Sequence, residues 1–135
     1  MKALAQDTQV WANGLVACEQ DCPPDPSQIE ICRRWLRAFC LPRKALYTTY
    51  SSYGLKHIAE NWVGAYATNG AFIAAAFAEG YRVVPTRRGG PNAYFNLAIK
   101  KTAFAESAAG AGVDANADLL GNMRVACGST KGGAG

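Results

Sequence analysis

The chain has 135 residues, of which 50% are hydrophobic, and a formal net charge of +4. This length and apolar content fit one domain with a buried core and argue against a second independent domain. No window approaches the roughly 18 consecutive apolar residues that span a bilayer, and the amino terminus lacks the apolar stretch of a signal peptide. We therefore expect a cytoplasmic protein with no membrane partner.

The first predicted element is an amphipathic helix within residues 2–20. This stretch contains no proline, and it spaces Val10, Leu15 and Cys18 roughly as one face of a helix requires. The proline-rich segment 22–26 must end the helix, because proline lacks the N–H that a helix interior needs.

A second helix is predicted from Pro26 to about Cys40. Asp25 has the pattern of an N-cap, Pro26 takes the first helical position, and Gln28 completes a capping box. Apolar residues at positions 29, 32, 36 and 39 form one stripe, whereas three arginines fall largely on the other side of the helix.

The remaining elements are predicted from turn signals and from strand-forming composition. An extended segment over residues 43–52 comes first. A third helix then runs from Ser51 or Ser52 to Val63, and a fourth helix from Thr68 or Asn69 to Gly80. Two strands follow, over residues 81–85 and 92–99, joined by a basic, glycine-rich loop.

This order of elements matches a winged helix-turn-helix, in which three helices pack together and a strand hairpin, the wing, projects beside them. We predict an α+β protein that is winged helix-turn-helix-like, with helices packed on a small antiparallel hairpin. Its core would span residues 28–101, after an N-terminal helical arm at residues 1–27 and before an Ala- and Gly-rich tail with a short helix at residues 102–135.

Positive charge is concentrated in the middle of the chain. From Arg33 to Lys101 there are eleven Lys or Arg residues and only two Glu, a balance of +9, whereas both flanks are acidic. A concentrated positive field attracts polyanions, so nucleic acid, either DNA or RNA, is the expected partner. Whether the protein also forms a homodimer is left open by the sequence. The predicted nucleic-acid-binding residues are Arg33, Arg34, Arg37, Arg43, Lys44, Lys56, Arg87, Arg88, Lys100 and Lys101.

The fourth helix has one face of large apolar residues and one face of bare alanine. Base recognition in a major groove needs Arg, Lys, Asn or Gln side chains, so this helix does not favour sequence-specific contacts. Binding of nucleic acid would then depend on phosphate contacts made by the basic residues. Two interpretations stay open: the helix is buried on both sides, or the alanine face allows close approach of another helix, a protein surface or a sugar-phosphate backbone. If a protein surface approaches this face, the predicted protein interface consists of Ala71, Ala74, Ala75 and Ala78.

The sequence offers little for catalysis. His57 is the one histidine of the chain and stands three residues before Glu60, but a general base also needs a cleft and a positioned substrate. We predict that the protein is not an enzyme and has no catalytic residues.

Five cysteines in a chain without an export signal predict reduced thiols. Cys18, Cys22, Cys32 and Cys40 supply enough thiolates for tetrahedral zinc, but their spacing is irregular, and small buried cysteines are common core residues. We predict no metal site and no cofactor, and the zinc question stays open.

Five short segments carry a resemblance to known proteins. They are Pro42-Arg43-Lys44, Ser52-Tyr53-Gly54-Leu55-Lys56-His57, Asn69-Gly70-Ala71-Phe72-Ile73-Ala74-Ala75, Gly80-Tyr81-Arg82-Val83 and Gly90-Pro91-Asn92-Ala93-Tyr94-Phe95-Asn96. Over roughly residues 34–99, about half of the chain, the sequence resembles a group of small proteins carried by bacteriophages, plasmids and integrative elements. The resemblance implies a mobile-element setting, where small proteins regulate the element's genes or block host defences, as anti-CRISPR proteins do.

The leading hypothesis is a mobile-element protein that binds nucleic acid mainly through phosphates, as a regulator or accessory factor. Tyr47, Tyr50 and Tyr53 would favour single strands if their rings stack on unpaired bases, although packed tyrosines are the commoner case. One alternative is an anti-CRISPR-type inhibitor that docks on a host defence protein or nucleoprotein complex. Another is a structural phage component.

Overall fold

The structure is a computed structural model that describes residues 2–104. The predicted Ala- and Gly-rich tail with a short helix, residues 102–135, lies outside the described residues from position 105 onward. The elements in chain order are α1 (Pro26–Phe39), β1 (Cys40–Tyr47), α2 (Ser52–Val63), α3 (Asn69–Ala78), β2 (Val83–Pro85) and β3 (Ala93–Ile99). The strands form one antiparallel sheet in the order β1-β3-β2. The predicted α+β class, with helices and a small antiparallel sheet, is therefore confirmed.

Local signals in the sequence set most helix ends within one or two residues of their predicted positions. The Asp25 carboxylate accepts the Ser27 N–H at 2.8 Å, and the Thr68 hydroxyl accepts the Ala71 N–H at 3.1 Å. Gly64 ends α2 with φ of 73°, a left-handed conformation that glycine adopts without steric cost. Strand β1 begins three residues before the predicted extended segment, because α1 passes into it without an intervening turn.

The predicted capping box at the start of α1 is wrong. Gln28 is fully buried, and its Oε1 accepts the Thr68 N–H at 3.0 Å instead of turning back to the cap. The side chain therefore ties α1 to the start of α3, a contact between residues 40 positions apart in the chain.

The helix predicted within residues 2–20 is absent, and residues 2–25 contain turns and one isolated bridge between Trp11 and Gly14. Their backbone groups bond to other elements: the Leu4 N–H donates to Val83 O at 2.8 Å, and Ala12 O accepts the Gly70 N–H at 3.0 Å. Tertiary contacts thus replace the hydrogen bonds of a helix, and Val10 enters the core. We call residues 2–25 the N-terminal segment.

Helix α3 lies at the centre of the core. Phe72 contacts Trp35 of α1 and Phe95 of β3, with ring centroids 5.9 and 5.6 Å apart. Ala71 and Ala75, on the face predicted to be bare alanine, are fully buried as well. Of the two interpretations left open by the sequence, the structure therefore supports a helix that is buried on both sides.

The N-terminal segment covers part of α3. A Cβ atom at Gly70 would lie 1.6 Å from Trp11 O, so the chain passes against the first turn of the helix where only glycine fits. Further along, Ala74 and Phe77 share a shallow depression with residues 6–10 and Pro24. Among the four alanines proposed as an interface, only Ala78 is exposed and Ala74 is partly exposed. The interface Ala71, Ala74, Ala75 and Ala78 does not exist as an accessible surface.

Candidate nucleic-acid interface

A set of exposed cations lies on β1, just before β2, on the β2–β3 loop and just after β3. Residues 40–59 and 80–104 contain no Asp or Glu, and none of these exposed cations forms an ion pair with a carboxylate within residues 2–104. We call this set the basic sheet surface; it consists of Arg43, Lys44, Arg82, Arg87, Arg88, Lys100 and Lys101.

Hydrogen bonds between strands fix part of the basic sheet surface. The Arg82 guanidinium donates to Lys44 O on β1, and the Arg82 N–H donates to the Asn96 side chain at 2.6 Å. The same asparagine donates through Nδ2 to Arg43 O at 3.0 Å. These bonds hold the irregular middle of β1, where the register with β3 shifts between Pro42 and Tyr47. They bring Arg43, Lys44 and Arg82 together.

Arg43 was among the predicted phosphate-binding residues, whereas Arg82 was not. Arg43 also donates to Ala45 O and Leu46 O, both at 3.0 Å, so its side chain lies along β1. Arg82 was absent from the predicted site although it belongs to the basic block. Its position next to strand β2 was a signal that could have placed it, since a charged residue beside a short edge strand is usually exposed.

The arginines of α1 do not belong to the basic sheet surface, because carboxylates engage them. Arg33 and Arg37 contact one Glu79 oxygen at 2.7 and 3.0 Å, and Arg34 lies 3.5 Å from Glu30. Burial alone would raise the pKa of Glu79, but the hydrogen bonds from the two arginines outweigh it and lower the pKa below its ordinary value. The structure therefore separates these three predicted residues from the others.

Lys56 is also not available for phosphate contact. Its side chain is 5% exposed, with Nζ 3.2 Å from Glu60 Oε2 and about 5 Å from the ring centroids of Tyr53 and Tyr66. A buried ammonium is stable only when it is paired, and here a carboxylate and two aromatic rings provide the partners. Its place in the predicted site is wrong because the charge is neutralised inside the protein.

A cleft of about 780 Å³ opens beside Lys56, between α2, the start of α3 and the β2–β3 loop. We call it the α2–α3 cleft. It has the size of ordinary ligand sites and a mostly polar set of side chains at its walls. Its lining residues are Ala12, Asn13, Tyr53, Lys56, His57, Glu60, Tyr66, Thr68, Asn69, Pro91 and Asn92.

Glu60 organises one wall of the α2–α3 cleft. Its Oε2 also accepts the Ala67 N–H at 2.9 Å, and its Oε1 lies 3.0 Å from His57 Nδ1. The pairing of His57 with Glu60 expected from their spacing is present, and the imidazole lies at the exposed side of the cleft. Because Glu60 and Lys56 neutralise each other, this pair adds little net charge to the wall.

Asn69 and Asn92 also line the cleft and are joined by a hydrogen bond. Asn69 Nδ2 donates to Asn13 O and to Asn92 Oδ1, both at 2.9 Å, and lies 3.3 Å from Pro91 O. These three oxygens fix the orientation of the Asn69 amide. They join the N-terminal segment, α3 and the β2–β3 loop at one point. Three segments that are distant in the sequence thus meet at this cleft, through residues 53–57, Asn69 and residues 91–92.

The cysteines do not converge. Cys18 is exposed, Cys32 and Cys40 are buried free thiols, and Cys22 is disulfide-bonded, which contradicts the expectation of reduced thiols at that position. Burial raises the pKa of Cys40 to about 12 and raises that of Cys32 strongly, so both stay as thiols. Within residues 2–104, no group of three or more His, Cys, Asp or Glu residues could hold a metal ion.

No helix of the part of the chain described here is long and apolar enough to cross a membrane. Comparisons of the sequence with models of protein families, with curated proteins and with solved structures give no match.

Proposed function

We propose that this protein binds nucleic acid through phosphate contacts at the basic sheet surface, as a non-catalytic, cytoplasmic regulator or accessory factor of a mobile element. The proposal rests on the seven exposed cations of the basic sheet surface, which lie on or next to the strands and on the β2–β3 loop, in segments without a carboxylate. Such a surface attracts a polyanion and supplies affinity without sequence information.

The order of elements and strands supports a winged-helix-like assignment. Helix, strand, two helices and a strand hairpin follow one another, and β3 pairs with both β1 and β2. In this assignment the wing is the β2–β3 hairpin, whose loop carries Arg87 and Arg88. The mobile-element setting rests on the sequence resemblance alone.

The buried state of α3 determines how such a protein would bind. In helix-turn-helix proteins the recognition helix enters the major groove, but here the N-terminal segment and the core cover most of α3. Binding would therefore depend on the sheet and the wing, which predicts weak sequence preference. The same burial removes support from the alternative of a defence inhibitor that docks through the alanine face, and no observation favours a structural phage component.

The test is fluorescence anisotropy of the purified protein with labelled random-sequence duplex DNA, single-stranded DNA and RNA across a salt series. Several phosphate contacts predict that affinity falls by orders of magnitude between about 50 and 200 mM salt, at every sequence. Absence of binding at low salt would refute the proposal. Affinity that depends strongly on sequence would refute the phosphate-only mode.

A further inference from the structure

The α2–α3 cleft lies beside the loop that carries the wing arginines. The loop is closed by the Thr86 N–H, which donates to Asn92 O at 3.0 Å, and by the Gly90 N–H, which donates to Arg87 O at 3.1 Å. Arg87 and Arg88 are exposed on this turn, with the Arg87 side chain lying against Gly90, whereas Pro91 and Asn92 line the cleft. A strand whose phosphates contact the two arginines would therefore pass the mouth of the cleft.

The charges of the two regions differ in a way that suits the two parts of a nucleotide. The arginines are exposed and lack carboxylate partners among residues 2–104, so they suit a phosphate. Inside the cleft, the Lys56 ammonium is already paired with Glu60 at 3.2 Å. The cleft therefore suits a polar but uncharged group more than a second anion.

Tyr53 provides an aromatic surface at the rim of the cleft. Its side chain is exposed (52%), yet its ring is held edge-on to His57 with centroids 4.7 Å apart and lies 5.1 Å from Lys56 Nζ. A ring that is both exposed and positioned can stack on a base with little loss of side-chain entropy. The ring centroid of Tyr66 lies 5.0 Å from the same ammonium.

Asn92 provides a hydrogen-bond donor. Its Oδ1 accepts from Asn69 Nδ2 at 2.9 Å, which fixes the amide and leaves its own Nδ2 without a partner among the residues described. Ring nitrogens and carbonyl oxygens of nucleobases are acceptors that match such a donor.

We infer that the α2–α3 cleft binds one unpaired nucleobase of a single strand whose phosphates lie on the wing arginines. This inference rests on the proposed function and adds a strand preference to it. The base stacks on Tyr53 and accepts a hydrogen bond from Asn92. Duplex DNA keeps its bases stacked inside the helix, so it uses the basic sheet surface alone.

The experiment compares two labelled 12-nucleotide strands of equal charge, oligo-dT and an abasic deoxyribose-phosphate strand, by anisotropy at one salt concentration. We expect oligo-dT to bind about 10-fold more tightly, the effect of one base stacked on an aromatic ring. Tyr53→Ala should reduce this ratio to about 1 without changing affinity for the abasic strand. Tyr50→Ala is the matched control, because Tyr50 is also exposed (43%) but contacts Tyr47 and Phe104 and does not line the cleft.

The outcomes separate this inference from the proposed function. Equal binding of the two strands by the unmodified protein, or an unchanged ratio in Tyr53→Ala, would overturn the base site and leave phosphate binding intact. A ratio lost equally in Tyr50→Ala would also overturn it. Failure of both strands and of duplex DNA to bind at low salt would overturn the proposed function and the base site together.

Discussion

Replacing Arg87 and Arg88 with glutamine tests the proposed phosphate contacts most directly. Both side chains are exposed on the β2–β3 loop and carry no ion pair within residues 2–104, so their removal should leave the fold unchanged. If all seven cations of the basic sheet surface contact duplex phosphates, the slope of log K against log salt is about −6. Without two of them the slope falls to about −4.5.

These slopes correspond to measurable differences in affinity. Between about 50 and 200 mM salt, a slope of about −6 costs roughly 4,000-fold in affinity, and a slope of about −4.5 costs roughly 500-fold. Anisotropy titrations of both proteins with one random-sequence duplex give the two slopes. The control is the single variant Arg34→Gln, which is compared with the single variant Arg88→Gln. Arg34 is also an exposed arginine, but it lies on α1 beside Glu30 and outside the basic sheet surface. Equal slopes for the double variant and the unmodified protein would refute the role of the wing.

Three further substitutions test the packing and charge assignments, each by urea unfolding. Gly70→Ala should destabilise the fold by about 3 kcal/mol, because its Cβ would lie 1.6 Å from Trp11 O; a loss below about 0.5 kcal/mol would contradict the close packing of the N-terminal segment. Glu60→Gln should cost about 3 kcal/mol by leaving the Lys56 ammonium buried without its carboxylate, and adding Lys56→Met should restore part of that stability; additive losses would refute the pairing. The pKa of Glu79 is lowered in the fold, so the ionised carboxylate stabilises the protein above the ordinary carboxyl pKa of about 4.5, and this contribution disappears as pH falls through the lowered pKa. The stability difference between the unmodified protein and Glu79→Gln should therefore be larger at pH 7 than at pH 3, and a constant difference would contradict the ion pairs with α1.

From α1 onward, the sequence determined most ends of the helices and strands because their signals are local. Asp25 and Thr68 cap α1 and α3, Gly64 ends α2, and the loop before β3 separates two strands, all within two residues of the predicted positions. These signals depend on backbone conformations and hydrogen bonds between residues a few positions apart, which neighbouring residue types largely decide. The α+β class followed from the order of these elements.

Only the tertiary structure decided which charged side chains are exposed and unpaired and which helix faces are accessible. Arg33 and Glu79 are 46 positions apart, so no local pattern showed that a carboxylate would engage an arginine expected to bind phosphate. The same holds for Lys56, whose burial depends on Tyr66 and on the wall of a cleft that three distant segments form. The helical spacing within residues 2–20 was misleading because the backbone there bonds to α3 and β2 and, within the segment, forms only turns and one bridge. Burial and ion pairing depend on long-range contacts, and these arise only when the chain has folded.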